Sequence, residues 1–112
     1  MIVDYSQTAG IIPLYIYKTG IDIMCCSGHK GLYGPTGVGL LIINNDIAMN
    51  TIIEGGTGSN SKILNQPLEY PDRFESGTQN IVGIIGLSKS IDYLKELNSY
   101  EIYRREINLL KY

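Results

Sequence analysis

Hydrophobic residues in the first half of the chain occur in short runs of the kind that predicts buried strands. Three such segments are Met1–Val3, Ile21–Cys26 and Val38–Ile43, and the last has the β-branched character of an interior strand. The first segment leads into Asp4 and the second into Ser27, so a polar side chain follows each of these two predicted strands. Strand ends are where sites form in α/β sheets, so these positions are candidates for function.

Apolar residues after position 80 instead recur at the spacing of an amphipathic helix. One helix is predicted from Asn80, a suitable N-cap, to a break at Asn98 or Ser99. A second amphipathic helix is predicted over Glu101–Lys111. Residues 11–20 favour a short helix closed by a glycine. Strands and helices in alternation are typical of the α/β class.

Two stretches contain turn-forming residues without a regular period. Asn44–Asp46 is predicted to be a turn or a helix cap, and residues 54–73 are rich in Gly, Ser, Asn and Pro. The second stretch is predicted to be a long loop. Because loops of this length inside a compact domain usually serve binding or catalysis, it is a candidate functional segment.

The composition argues against several classes of function. The 112 residues suffice for one ordinary domain, and nine basic against eleven acidic side chains leave a net charge of −2. That balance argues against nucleic acid as a partner, and no apolar run reaches the roughly 18 residues of a membrane span. No signal-peptide pattern is visible, and the adjacent Cys25 and Cys26 are interpreted as reduced core thiols, so a cytoplasmic protein is expected.

Glycine is the residue type in clear excess. The chain has 13 glycines among 112 residues, whereas an average protein has about 7%. They cluster at positions 28–39, 55–58 and 77–86. Since glycine lets the backbone approach a ligand closely, the three clusters predict a bound ligand.

The segment Ser27–Gly31 is the strongest candidate for chemistry. Lys30 follows a predicted buried strand and is flanked by His29 and Gly31, and a desolvated lysine amine is the usual Schiff-base nucleophile. From spacing alone, a glycine-rich surface turn with an incidental lysine is equally compatible. A phosphate loop of the Walker type fits poorly, since its lysine is followed by Ser or Thr.

The order of polar residues along the chain matches the needs of a pyridoxal phosphate (PLP) enzyme. Such an enzyme requires a lysine, an acid that keeps the pyridine nitrogen protonated, and donors for the phosphate and the phenolic oxygen. The residues that fill these roles in type and order are Asp4, Gln7, Ser27, His29 and Lys30. A carboxylate at a strand end can also serve only as a turn former.

Three motifs resemble those of the class V aminotransferases, most closely the cysteine desulfurase-like branch. They are Asp4-x-x-Gln7, Ser27–Gly37 and Arg73–Asn80, and the stretch Glu54–Ser59 is similar as well. The resemblance covers roughly residues 1–98 and implies the fold-type I large domain, an α/β domain with a mostly parallel sheet flanked by helices. Residues 1–98 would be its central and C-terminal part, and residues 99–112 a helix leading toward a missing C-terminal domain.

The resemblance also implies a role for each candidate site residue. Lys30 would form the internal aldimine with PLP, Asp4 would pair with the pyridine nitrogen, and Gln7 would bond the phenolic oxygen. Ser27 and His29 would hold the phosphate.

One further role implied by the resemblance concerns a second subunit. Thr78 would reach the phosphate of the neighbouring subunit in a homodimer, so that two chains would share each site.

The brevity of the first strand predicts that further chain precedes it in the parent protein.

Several features that the resemblance implies are missing from the chain. Upstream these are a glycine/threonine phosphate loop, an aromatic or imidazole that stacks on the cofactor ring and an asparagine near the ring. Downstream they are the persulfide-forming cysteine and the arginine that binds the substrate carboxylate. Arg73 is a candidate for a carboxylate clamp, or else an ion-pair partner of Asp72 or Glu75. We therefore expect part of a PLP-dependent enzyme acting on cysteine or a related amino acid, inactive as this chain alone. The alternative is a catalytically inactive truncated or split-gene fragment that binds at most a cofactor or a partner.

Overall fold

The computed structural model describes residues 1–44, 47–58 and 62–112. Asn45 and Asp46 of the predicted turn, and Ser59 of the Glu54–Ser59 motif, lie outside the described residues. The chain forms two compact units. The first consists of Met1–Ile47 together with Ile81–Tyr112, and the second consists of Ala48–Asn80.

The first unit contains a three-stranded sheet. Its strands are β1 (Ile2–Asp4), β2 (Ile23–Ser27) and β3 (Gly39–Ile43), in the spatial order β1-β2-β3. β1 runs parallel to β2, and β2 runs antiparallel to β3. Each strand begins and ends within two residues of its predicted bounds, since runs of apolar residues mark a strand locally.

Among its described residues the first unit also has three helices, and together with the sheet they place it in the α/β class. They are α1 (Ile16–Thr19), α2 (Ile81–Glu96) and α3 (Ser99–Leu110). α1 closes at Gly20, as predicted. α3 begins two residues earlier than predicted because the Asn98 side chain accepts a hydrogen bond from the backbone N–H of Tyr100 and caps the helix.

The core of the first unit is small and centres on β2. Its buried hydrophobic side chains are Ala9, Ile21, Met24, Cys26 and Leu87. They come from β2 itself, from the turn after β1, from the residues that lead into β2, and from α2. α3 contributes no buried residue.

The prediction that Val38–Ile43 is an interior strand is wrong for this unit. Leu40, Leu41 and Ile42 are between 37% and 48% exposed, although neighbouring side chains of a strand point to opposite faces. β3 pairs with β2 alone and so lies at the edge of the described sheet. A run of apolar residues predicts that both faces of a strand are buried. Whether they are buried depends on which other elements pack against the strand.

The second unit has little regular structure, as predicted for the long loop at 54–73. Among its described residues, one 3-10 helix spans Asp72–Phe74. The Tyr70 ring stacks on the Phe74 ring at a centroid distance of 5.4 Å. Gln66 joins three parts of the backbone, since its Nε2 donates to the carbonyls of Asp72 and Arg73 and its Oε1 accepts from the N–H of Gly55.

Candidate functional site

The parallel pairing of β1 and β2 brings two of the predicted site residues to one edge of the sheet. Asp4 is the last residue of β1 and pairs in register with Cys25 of β2. The backbone N–H of Tyr5 donates to the Cys25 carbonyl at 2.8 Å, which extends the pairing beyond the strand. Lys30 lies three residues past the end of β2, so its loop begins at the same edge.

The Asp4 carboxylate is exposed and is held in its ionised form. Its Oδ1 accepts a hydrogen bond from the backbone N–H of Ser6 at 2.9 Å. Hydrogen bonds from Ser6 lower the pKa of Asp4, and the positive charge of Lys30 lowers it further. Both groups therefore belong to the same end of the sheet, where β1 ends at Asp4 and the Lys30 loop follows β2.

Lys30 lies in a loop with its own hydrogen bonds, residues 28–34, which we call the lysine loop. The N–H of Gly34 donates to the Gly28 carbonyl at 2.8 Å, and the N–H of Tyr33 donates to the Lys30 carbonyl at 2.8 Å. Tyr33 adopts a φ of 56°, a left-handed conformation that is uncommon outside glycine. These bonds give the loop a defined backbone, so Lys30 is presented from a fixed position.

The glycines of the lysine loop allow close packing between backbone segments. A Cβ atom on Gly34 would lie 2.7 Å from Cδ1 of Leu87, and one on Gly28 would lie 2.7 Å from the Val38 carbonyl oxygen. Leu87 belongs to α2 and is 3% exposed, so the helix packs on the loop through this side chain. The prediction that these glycines serve a ligand missed their role in packing.

The other site residues predicted in the first unit lie around the same edge of the sheet. Ser27 ends β2 and is half-buried, His29 is exposed, and Lys30 is half-buried. Gln7 is exposed and lies in the turn after β1, where the N–H groups of Thr8 and Ala9 donate to the Tyr5 carbonyl. Ser27 carries a hydroxyl, His29 an imidazole and Gln7 an amide, so this end of the sheet offers several hydrogen-bonding side chains in addition to the Lys30 amine.

Thr78 lies in the second unit and is exposed. It follows Gly77, whose N–H donates to the Gly56 carbonyl at 2.8 Å. This hydrogen bond joins the two family-like motifs of this unit, one beginning at Glu54 and the other at Arg73. Gln66, which crosslinks the same region, was missed because a lone glutamine in a loop has no periodic signal.

The guanidinium of Arg73 is directed at backbone and an aromatic ring. Its Nη2 donates to the Met49 carbonyl at 2.7 Å, and it lies 5.9 Å from the centroid of the Phe74 ring. The Arg73 Nε is buried and has no hydrogen-bond partner within the described part of the chain. Among the described residues, neither Asp72 nor Glu75 forms an ion pair with it.

Both cysteines are free thiols. Cys26 is buried, as predicted for a core thiol, whereas Cys25 is partly exposed. Burial raises the pKa of the Cys26 thiol, with a further contribution from Cys25. Because the thiolate is the reactive form, Cys26 is a poor nucleophile.

Two other kinds of feature are absent from the described part of the chain. Residues 1–44, 47–58 and 62–112 contain no group of three or more His, Cys, Asp or Glu side chains placed to hold a metal ion. No helix within those ranges is both long and apolar enough to cross a membrane.

Comparison with known proteins gives one consistent relationship. The family model described as Aminotransferase class-V matches residues 1–112. A probable cysteine desulfurase of Pyrococcus abyssi is 39% identical over 114 residues, covering 98% of this chain and 28% of the relative. One of Borreliella burgdorferi is 36% identical over 120 residues, covering 100% of this chain and 28% of the relative.

Solved structures agree with the sequence relatives. The apo structure of a cysteine desulfurase from Thermococcus onnurineus NA1 matches with a TM-score of 0.73 and 36% identity, covering 98% of this chain and 28% of that one. The cysteine desulfurase CsdA of Escherichia coli matches with a TM-score of 0.72 and 30% identity, covering 88% and 25%. The chain thus spans little more than a quarter of the length of these proteins. The match over all 112 residues shows that it belongs to the class-V aminotransferase family.

Proposed function

We propose that the chain supplies the lysine and several of the cofactor ligands of a PLP site in an enzyme of the cysteine desulfurase type. The observation that carries this proposal is the parallel register of β1 and β2, because it puts Asp4 and the start of the Lys30 loop at the same end of the sheet. The family to which the chain belongs supports it, because several relatives are named cysteine desulfurases.

The residues at this edge fit the chemistry of PLP. A protonated pyridine nitrogen pairs with a carboxylate, and Asp4 is both exposed and held ionised by the N–H of Ser6. When bound, PLP acts as an electron sink for a carbanion at the substrate Cα. Lys30 would hold the cofactor covalently through its amine and would then move a proton at that carbon. Its half-buried position limits the water around the amine.

The remaining ligands fall into two groups. Gln7 would bond the phenolic oxygen, while Ser27 and His29 would hold the phosphate at the end of β2. Thr78 would reach the phosphate bound by a partner subunit in a homodimer.

The substrate that best fits the relatives' names is cysteine. Residues 1–98 would then form the central and C-terminal part of a fold-type I large domain with a mostly parallel sheet, and residues 99–112 would lead toward a further domain. Cys26 is unsuited to carry the sulfur because it is buried and its pKa is raised. We therefore expect no desulfuration by the 112-residue chain alone.

A second function is favoured by the exposure of β3. Leu40, Leu41 and Ile42 are all more than one-third exposed on an edge strand, which is typical of a surface that binds another polypeptide. A chain that only binds a cofactor or a partner would show this surface without any turnover.

Titration of the chain with PLP tests the proposal. The wild-type chain should develop a visible absorbance band, and borohydride reduction followed by peptide mapping should place the cofactor on Lys30. Lys30→Ala should lose the band, whereas Lys18→Ala, which removes an exposed lysine of α1, should keep it. Equal bands in the wild type and Lys30→Ala would refute a specific site.

An assay with cysteine tests the expected inactivity of the isolated chain. We expect neither sulfide nor alanine to be released by the PLP-loaded chain, and robust release would contradict the expected inactivity of the isolated chain.

A further inference from the structure

We infer that Gly10 and Gly31 are positioning residues, which hold the lysine loop against the segment that follows Asp4. The inference rests on the proposed function, since it concerns how Lys30 and Asp4 keep their separation. Neither glycine touches a reacting atom in this scheme. Their role is to let two backbone segments cross where no side chain fits.

The crossing leaves no space for a Cβ atom on either backbone segment. A Cβ on Gly31 would lie 2.3 Å from the Ala9 carbonyl oxygen, and one on Gly10 would lie 2.1 Å from the Gly31 carbonyl oxygen. Both distances are far below any van der Waals contact, and both involve backbone atoms that cannot rotate away. Gly10 also has a φ of 84°, which favours glycine.

Each of the crossing segments carries part of the site. Gly31 follows Lys30 directly, and the Gly10 segment is tied to the end of β1 by a hydrogen bond from the Ala9 N–H to the Tyr5 carbonyl at 2.9 Å. The two glycines therefore join the residue next to the lysine to the turn next to the carboxylate.

The lysine loop has little freedom to adjust on its other side. The Gly28 N–H donates to the Val38 carbonyl at 2.9 Å, and Leu87 fills the space beside Gly28 and Gly34. If the backbone is displaced at the crossing, the residues between the crossing and these contacts must therefore move. Lys30 is one of these residues. Because covalent attachment and ring pairing need the amine and the carboxylate at a set separation, a displacement of roughly a few tenths of an ångström should weaken cofactor binding.

The chain offers a matched control for each glycine. A methyl group on Gly56 would have no described atom within 4 Å, and Gly56 has no positive φ, so Gly56→Ala controls for Gly31→Ala. Gly20 has a φ of 66° and open space around it, so Gly20→Ala controls for the backbone strain in Gly10→Ala. Each pair makes the same chemical change with and without the backbone clash.

The test measures the dissociation constant for PLP by absorbance and the unfolding midpoint without cofactor. Gly31→Ala should bind PLP at least about fivefold more weakly than the wild type, as overpacking predicts. Gly56→Ala should stay within about twofold. Gly10→Ala should likewise bind more weakly than Gly20→Ala. A folded Gly31→Ala variant with wild-type affinity would overturn the inference.

If Gly31→Ala fails to fold, Ile11→Ala tests instead whether the crossing affects PLP binding. Cδ1 and Cγ1 of Ile11 lie 3.1 and 3.2 Å from the Cβ position of Gly31, so the truncation loosens the crossing without a clash. Weaker PLP binding by this variant supports the inference, and unchanged binding overturns it.

If the wild-type chain does not attach PLP at Lys30, the proposed function is refuted. The crossing of the two backbone segments can then still be tested without the cofactor. The unfolding midpoints of Gly10→Ala, Gly31→Ala and the double variant are then compared without cofactor. Two substitutions that disturb one crossing should together lower the midpoint by less than the sum of their separate effects. Additive effects would overturn the crossing.

Discussion

Two glycine-rich regions of the chain share a composition and differ in what surrounds their glycines. In the lysine loop, a Cβ atom on Gly28, Gly31 or Gly34 would lie within 2.8 Å of another atom. In the second unit, a Cβ atom on Gly56 or Gly77 would have nothing within 4 Å among the described residues. The first region therefore uses glycine to pack backbone closely, whereas the second uses it for open loop conformations.

A glycine cluster is therefore not by itself a sign of a bound ligand. The glycines around Lys30 are required by the contacts that hold the loop, and those contacts fix the backbone of a lysine just past a strand end. In the second unit, hydrogen bonds such as that from Gly77 to Gly56 hold the loop instead. The effects of substitutions on stability should therefore differ between the two regions, both in size and in physical cause.

The largest effect should come from removing the side chain on which the lysine loop packs. Leu87→Ala should lower the free energy of unfolding by about 2–5 kcal/mol, because Leu87 is 3% exposed and the truncation leaves a cavity. Urea unfolding followed by circular dichroism measures the change. Leu64→Ala in the second unit is the control, since Leu64 is fully exposed and its loss should be nearly neutral. Similar costs at both positions would contradict the packed loop.

A methyl group added inside the packed loop should lower the free energy of unfolding by less than the cavity in Leu87→Ala does. Gly34→Ala is expected to destabilise the fold by about 1–3 kcal/mol, because its Cβ would lie 2.7 Å from Leu87 Cδ1 and 2.8 Å from the Gly28 carbonyl oxygen. Denaturant titration measures this cost. Combining Gly34→Ala with Leu87→Ala should cost less than the sum of the two, because the cavity accepts the methyl. Strict additivity would mean that the two residues are not in contact.

In the open region, strain rather than crowding should decide the outcome. Gly77 has a φ of 88° and open space around it, so Gly77→Ala should cost about 1 kcal/mol through its backbone alone. Gly77→Asn should cost less, because asparagine tolerates a positive φ. Thermal unfolding of both variants measures the difference. An alanine variant as stable as the wild type would show that this loop changes its backbone freely.

The smallest effect concerns the charge beside the packed region. Hydrogen bonds from Ser6 lower the pKa of Asp4, so ionised Asp4 stabilises the fold at neutral pH. That contribution is lost as the pH falls from the ordinary carboxyl range through the lowered value. Asp4→Asn should therefore lose less stability on acidification than the wild type, as measured by unfolding midpoints across pH.

Asp92 supplies a contrast for Asp4. Its pKa is lowered chiefly by Lys95, at 3.2 Å, and by Lys89, at 3.5 Å, on the exposed face of α2. Added salt should move the pKa of Asp92 toward its ordinary value more than that of Asp4, because salt screens exposed ion pairs. Carboxyl NMR titrations at two salt concentrations measure both groups. An equal response would mean that the Ser6 hydrogen bond does not control Asp4.

Local signals in the sequence predicted most of the elements. Apolar runs located β1 and β2, and helical spacing located α2, which begins at Ile81 directly after the predicted cap. The start of α3 was missed because the cap at Asn98 adds two residues that carry no apolar periodicity. The interior placement of β3 was wrong because burial depends on what packs against a strand.

Some features of the candidate site could likewise be predicted from the sequence, and others depend on the tertiary structure. The residue types and their order, from Asp4 through Lys30 to Thr78, could be predicted without a structure, because motif spacing is a property of the chain. The tertiary structure sets the parallel pairing of β1 and β2, which puts Asp4 and the start of the Lys30 loop at the same end of the sheet. It also decided that Gly10 and Gly31 meet at a crossing. Contacts between residues distant in sequence depend on strand pairing and excluded volume, and neither is written in any local pattern.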